Sequence, residues 1–207
     1  METGRGRVGV AAAPTPFLAL GDSYTVGESL AVEESWPGLL AVRLSLEPTV
    51  LATTAWTSGE LLEAFDRSRP AGTYGLVSLQ IGVNDQYRGL PLDEFVANWS
   101  ALLVRARSMC GYDTGGVLAV SIPDWGVTPF AADRDGAVIA ADIDRFNEAL
   151  GAMTVEAGIP LVDVTSISRA HPSLVAPDGL HPSAEQYGRW VVEIAPVAEA
   201  VLGRRDG

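Results

Sequence analysis

Lysine does not occur anywhere in this chain of 207 residues, and all 14 basic side chains are arginines. That absence removes every chemistry built on a lysine amine: Schiff-base nucleophiles, the P-loop contact to phosphate, and the phosphate-binding lysine of kinases. Cysteine occurs once, at Cys110, so an intrachain disulfide and a cysteine-rich zinc site are both excluded. Near the end of a helical pattern, Cys110 reads as a small buried hydrophobe rather than a nucleophile. Histidine occurs twice, as His171 and His181, which leaves two candidates for an imidazole base. No apolar run approaches the ~20 residues that a membrane span needs, so membrane insertion is not expected. Positive charge is scarce: 26 acidic residues against 14 basic ones give a formal net charge of −12. Such a field repels phosphate backbones and anionic bilayers, and nucleic acid is not an expected partner.

What is present describes a globular chain. The hydrophobic share is 47% and the charged share 19%, a balance that supports a buried core without disulfides. Met1 to Pro14 carries Arg5, Arg7 and a short Val/Ala run ending Ala11-Ala12-Ala13, which Pro14 and Pro16 interrupt. This loosely mimics an export signal but is too short for one. The expectation is a frayed segment over residues 1–15, a single domain over 16–204, and a cytoplasmic location.

Short, mostly continuous apolar runs mark five strands: Phe17–Leu20, Thr49–Ala52, Leu76–Ile81, Val117–Ser121 and Ile159–Val164. Continuous rather than alternating runs suit strands buried on both faces of a parallel sheet. Helical spacing fills the intervals at Trp36–Leu46, Gly59–Arg67, Leu92–Met109 and Ala137–Ala157, and a last helix is expected from Ser183 to about Leu202. Gly111, Gly116, Gly158 and Pro160 punctuate the junctions. Strands alternating with helices predict an α/β layered sandwich with right-handed crossovers.

In such sheets ligands bind beyond the carboxyl ends of the strands. Gly21-Asp22-Ser23 follows the first strand, Thr57-Ser58-Gly59-Glu60 the second and Gly82-Val83-Asn84-Asp85 the third. Asp178-Gly179-Leu180-His181-Pro182 follows the fifth, after a loop. A serine hydroxyl needs a base, and a histidine base needs a carboxylate to fix its tautomer. Ser23, His181 and Asp178 supply that set. His171 lacks a carboxylate three residues earlier, where Ser168 stands, and reads as a loop histidine. An acyl-transfer transition state also needs donors aimed at its oxyanion. The expected donors are the amides of Ser23 and Gly59 and the side-chain amide of Asn84. Taken singly, each segment is ordinary turn or cap chemistry; their conjunction, in order and at strand ends, carries the reading.

The four segments together resemble the blocks of the SGNH/GDSL hydrolase family over nearly the whole chain. Gly21-Asp22-Ser23 matches the nucleophile block, Gly59 the second, Gly82-Val83-Asn84-Asp85 the third and Asp178 to Pro182 the last; Tyr24 departs from the leucine of the family name. The resemblance implies a flavodoxin-like α/β/α sandwich in three layers around a five-stranded parallel sheet. It also implies a serine esterase needing no metal or organic cofactor, acting on a small-molecule ester. Aromatics beside the blocks are candidate substrate contacts, Trp56 and Trp125 foremost, with Tyr87, Arg88 and Phe130 in the same loops. Small or short acyl groups are expected ahead of long lipids. Lysophospholipase, thioesterase and acyl-transfer activities stay open within the family. Two readings from other classes are an inactive domain of this fold serving as a binding module, and a mononucleotide binder. The first loop lacks the Gly-x-Gly-x-x-Gly fingerprint and puts Asp22 where a phosphate would sit, which argues against the second.

Overall fold

Four consecutive side chains, Phe17 to Leu20, are fully shielded from solvent, and they belong to strand β1 (Thr15–Gly21). In this computed structural model, which describes residues 13–110 and 116–203, β1 sits between β2 (Leu46–Ala52) and β3 (Leu76–Gln80). β4 (Val117–Val120) and β5 (Leu161–Val162) complete a five-stranded sheet in the order β2-β1-β3-β4-β5, every pair parallel. Parallel pairing demands a crossover after each strand, and the helices supply it. Helices α2 (Trp36–Leu44) and α8 (Ala184–Gly203) pack together on one face. On the other, α5 (Leu92–Met109) packs against α3 (Ser58–Ser68) and α6 (Gly136–Ala157), giving the expected three layers. No helix among the described residues is long and apolar enough to cross a membrane.

The central strands read as continuous apolar runs because both faces are covered, as at Leu76, Val77 and Leu79. The edge strands differ from expectation for the converse reason. β2 begins at Leu46, earlier than its apolar run, through Glu47 and Pro48, which an edge tolerates because solvent takes the unpaired side. At the other edge β5 shortens to two residues paired with Ala119 and Val120. Three short helices were not expected: α1 (Ser23–Val26), α4 (Val83–Tyr87) and α7 (Thr165–Ala170), each too brief for a periodic pattern. β1 opens at Thr15, so the frayed segment expected over 1–15 does not reach that residue; residues 1–12, Gly111 and Arg204 lie outside the described residues.

Trp36, Trp99, Trp190 and Tyr187 are the largest fully buried side chains, each worth roughly 1.5–3 kcal/mol of burial. Gln80, at the end of β3, accepts hydrogen bonds from Trp36 Nε1 (2.9 Å) and Thr25 Oγ1 (3.3 Å), tying α1, α2 and β3 together. Cys110 is buried at the C-terminal cap of α5.

Glycine matters most where β1 turns into α1. A Cβ on Gly21 would lie 2.0 Å from Thr25 Oγ1 and 2.6 Å from the Gln80 carbonyl oxygen. By contrast, Gly188 inside α8 faces open space. Gly21→Ala should therefore lose at least about 2 kcal/mol in urea unfolding, whereas Gly188→Ala should gain about 0.5–1 kcal/mol from helix propensity. Equal effects of the two substitutions would contradict this packing.

Candidate active site

Each strand of the left half of the sheet hands its chain to a turn on the same rim. After β1, the Asp22 carboxylate accepts from Tyr24 N (3.0 Å) and caps α1, which places Ser23 in its first turn. After β3, Gly82 adopts φ +133°, and its bend turns Asn84 and Asp85 towards the rim within α4. A Cβ there would come within 2.7 Å of both Phe95 and Ile122. Asp85 then reaches across to the turn after β2, accepting from Ser58 N (2.8 Å) and Ser58 Oγ (2.5 Å). The loop before α8 is closed by the Val175–Pro182 bridge and by Ala176 N donating to His181 O (2.7 Å).

These turns bring the predicted trio together. His181 Nε2 lies 2.9 Å from Ser23 Oγ, and His181 Nδ1 lies 2.7 Å from Asp178 Oδ2. The carboxylate fixes the tautomer: Nδ1–H donates to Asp178, leaving the Nε2 lone pair to accept the serine proton. Asp178 is itself held by Leu180 N (2.9 Å), His181 N (3.0 Å) and Ser29 Oγ (2.9 Å). Partial burial pushes its pKa up, but hydrogen bonds from His181, the two amides and Ser29 outweigh that and hold it at about 2. It stays ionised at neutral pH, ready to stabilise an imidazolium. The Tyr24 ring packs beside the imidazole, with centroids 4.9 Å apart. His171 is absent from this cluster; its carbonyl accepts from Gln186 Nε2 (3.0 Å) near α8.

Beside Ser23 and His181 lies a cleft of about 180 Å³ with mostly apolar walls that include Val83, Tyr87, Trp125, Phe130 and Leu180. Trp125, an expected substrate contact, is one of the walls, although it is 97% buried and its Nε1 donates to Gln86 Oε1 (2.8 Å). The other expected contact, Trp56, is not a wall: its ring packs against the core, and its carbonyl accepts from Asn84 Nδ2 (2.9 Å). Gly59 is also displaced from expectation. The Thr57–Glu60 capping box starts α3 at Ser58, which draws Gly59 into the first helical turn. A Cβ there would face Asn98 of α5 at 3.3 Å, and Gly59 does not line the cleft. Ala55 lines it instead, exposed and in the left-handed region at φ +68°. Neither Ala55 N–H nor Ser23 N–H has a hydrogen-bond acceptor among the described residues. Sequence reasoning took the nearest glycine; the only sequence trace of Ala55 is its place in the segment that follows the Thr49–Ala52 run.

Arg134 was missed as well. Its guanidinium lies 5.0 Å from the Tyr87 ring centroid and 5.3 Å from that of Trp125, and it donates to Tyr87 Oη (3.2 Å). It thereby backs the aromatic walls from outside. Among the described residues no group of three or more His, Cys, Asp or Glu is arranged to hold a metal ion.

Residues 19–189 match the profile of the GDSL-like lipase/acylhydrolase family. The chain belongs to that family. This GDSL-like protein thus shares a family whose description names lipase and acylhydrolase. It is 32% identical over 92 residues to an arylesterase from Vibrio mimicus, covering 42% of this chain and 46% of that protein. The chain thus matches about half the length of that relative. Its fold is similar to a putative lipolytic G-D-S-L family protein from Desulfitobacterium hafniense, with a TM-score of 0.73, 22% identity, and 88% and 99% of the two chains covered. It is also similar to an acetyl xylan esterase from Geobacillus stearothermophilus, with a TM-score of 0.67, 16% identity, and 90% and 95% covered.

A buried acid stands beside Ser23 in this GDSL-like site. Asp22 is 1% exposed, its Oδ2 has no partner among the described residues, and burial lifts its pKa to about 7. Between its unfolded pKa of 3.8 and about 7, the folded chain keeps a proton that the unfolded chain has released. Asp22 therefore subtracts stability as pH rises through that window, and its effect is constant above it. Asp22→Asn retains the capping oxygen. Its stability relative to the parent protein should rise on the order of 3 kcal/mol between pH 4 and pH 7.5, measured by urea unfolding. A difference independent of pH would contradict the buried, proton-holding state.

Proposed function

We propose that the protein hydrolyses carboxylic esters with small or short acyl groups through an acyl-enzyme on Ser23. The observation that carries this reading is the hydrogen-bonded chain Ser23 Oγ–His181 Nε2–Asp178, at 2.9 and 2.7 Å. His181 takes the serine proton as Oγ attacks the ester carbonyl, and Asp178 stabilises the imidazolium that forms. The imidazolium then gives its proton to the departing alcohol as the carbonyl re-forms. Water attacks the acyl-enzyme in the second half, with His181 again as base and Ser23 as the leaving group.

The developing oxyanion is met by three donors: the Ser23 and Ala55 backbone amides and the Asn84 side chain. Asn84 Nδ2 spends one N–H on the Trp56 carbonyl, which orients the amide and leaves its second N–H for the substrate. Donors fixed in this way need no reorganisation during the reaction, and each is worth roughly a hundredfold or more in kcat.

Cleft size supports the preference for small acyl groups. A dry engineered cavity of about 150 Å³ holds benzene, so about 180 Å³ suits a short acyl group or one ring. The names of the similar proteins, an arylesterase and an acetyl xylan esterase, point to esters of the same scale.

Hydrolysis of a nitrophenyl ester series tests the proposal. Turnover should be highest for acetate to butyrate and fall for chains beyond about eight carbons, the cleft offering no further apolar wall. Ser23→Ala should reduce kcat by at least about a thousandfold. Retention of most turnover by Ser23→Ala, or a preference for long chains, would overturn it.

A further inference from the structure

We infer that Arg88 is a positioning residue for the reaction, holding the turn after β2 in the conformation that presents the Ala55 amide to the oxyanion. The inference rests on the acyl-enzyme reading above. Alanine disfavours the left-handed region because its Cβ crowds the neighbouring carbonyl, so φ +68° at Ala55 must be imposed by its surroundings. Arg88 is the group that imposes it. From the C-terminal cap of α4, its Nη2 donates to the Ala55 carbonyl oxygen. Its Nη1 lies 3.2 Å from Glu60 Oε2 in α3. Glu60 in turn accepts from Thr57 N (2.8 Å), so the guanidinium is aimed by the same carboxylate that caps α3.

The turn is strapped on both sides of Ala55. Trp56 O accepts from Asn84 Nδ2, and Thr54 Oγ1 donates to Glu28. Among these straps, only Arg88 holds the Ala55 residue itself. Fixing the carbonyl of residue 55 fixes its ψ and, through the braced Thr54, limits rotation of the preceding peptide, which carries the Ala55 N–H. A guanidinium suits the task because its planar fork donates to the carbonyl and the carboxylate at once. Asn84 and Arg88 belong to α4 and its cap, Glu60 of α3 pairs with Arg88, and Asp85 and Ser58 already lock α3 and α4 together, so the amide is aimed by two helices.

This role makes a prediction that ordinary packing does not. If Arg88 works against the conformational preference of alanine, its importance should shrink when residue 55 is glycine, which enters the left-handed region without penalty. Arg88→Met, which keeps the apolar stem and loses the donors, should lower kcat about tenfold with KM within about twofold. In an Ala55→Gly background the same substitution should lower kcat threefold or less. Glu60→Gln, which keeps the cap and loses the ion pair, should lower kcat a few-fold in the same sense. Melting temperatures of the parent and all four variants establish that each is folded. An equal kcat loss in both backgrounds, a loss in KM alone, or no loss would overturn the inference. These outcomes are separable from failure of the acyl-enzyme itself, which Ser23→Ala reports whatever Arg88 does.

Discussion

A serine and a histidine 158 residues apart in sequence must meet at hydrogen-bond distance, and the rest of the structure serves that contact. The sheet order makes it possible. β1 lies between β2 and β3, so the turns after all three emerge side by side on one rim. α8 then returns along the face beneath them and fixes the loop that carries Asp178 and His181. Tyr187 Oη, one turn into α8, donates to the Tyr24 carbonyl (3.0 Å) and joins the base loop's helix to the nucleophile's helix. Ser23, His181 and Asp178 are therefore brought together by parallel-sheet geometry and this anchoring contact, with each loop free to specialise.

Electrostatics around the contact are divided between two carboxylates with opposite environments. Asp178, half-open and served by four donors, stays ionised far below neutrality. Asp22, fully buried beside the nucleophile, holds its proton towards neutral pH. One charge near the imidazole is what an imidazolium needs, and a second ionised carboxylate in the interior would carry a large desolvation cost. In a chain with a net charge of −12, keeping Asp22 neutral also spares the site further repulsion.

Much of this was legible in the sequence because it is written in local chemistry. The central strands are buried on both sides and show it as unbroken apolar runs; Ser23, Asn84, Asp178 and His181 sit at junctions that punctuation residues mark. What escaped depends on groups that sequence does not bring together. The edge strand β2 runs from Leu46 through Glu47 and Pro48, a pair that no apolar pattern includes. Gly59 looked like an oxyanion donor because it is a glycine at a helix start, yet the capping box folds it into that helix and turns its bare face to Asn98. Ala55 escaped because nothing local tells an alanine to adopt a positive φ. That geometry comes from Arg88, 33 residues away in sequence. Trp56 was read by its ring, whereas its carbonyl is the group nearest the chemistry. Arg134 was invisible for the same reason, since only the fold lays it over Tyr87 and Trp125.

The central claim is that His181 activates Ser23 for attack on an acyl carbon. Its most direct test is covalent: the intact mass after exposure to a fluorophosphonate, followed by peptide mapping, for the parent protein and for His181→Ala. The account predicts one adduct per chain, confined to the peptide carrying Ser23, and labelling slowed by at least about a hundredfold in His181→Ala. An adduct elsewhere, or labelling of Ser23 at an unchanged rate without the imidazole, would contradict it.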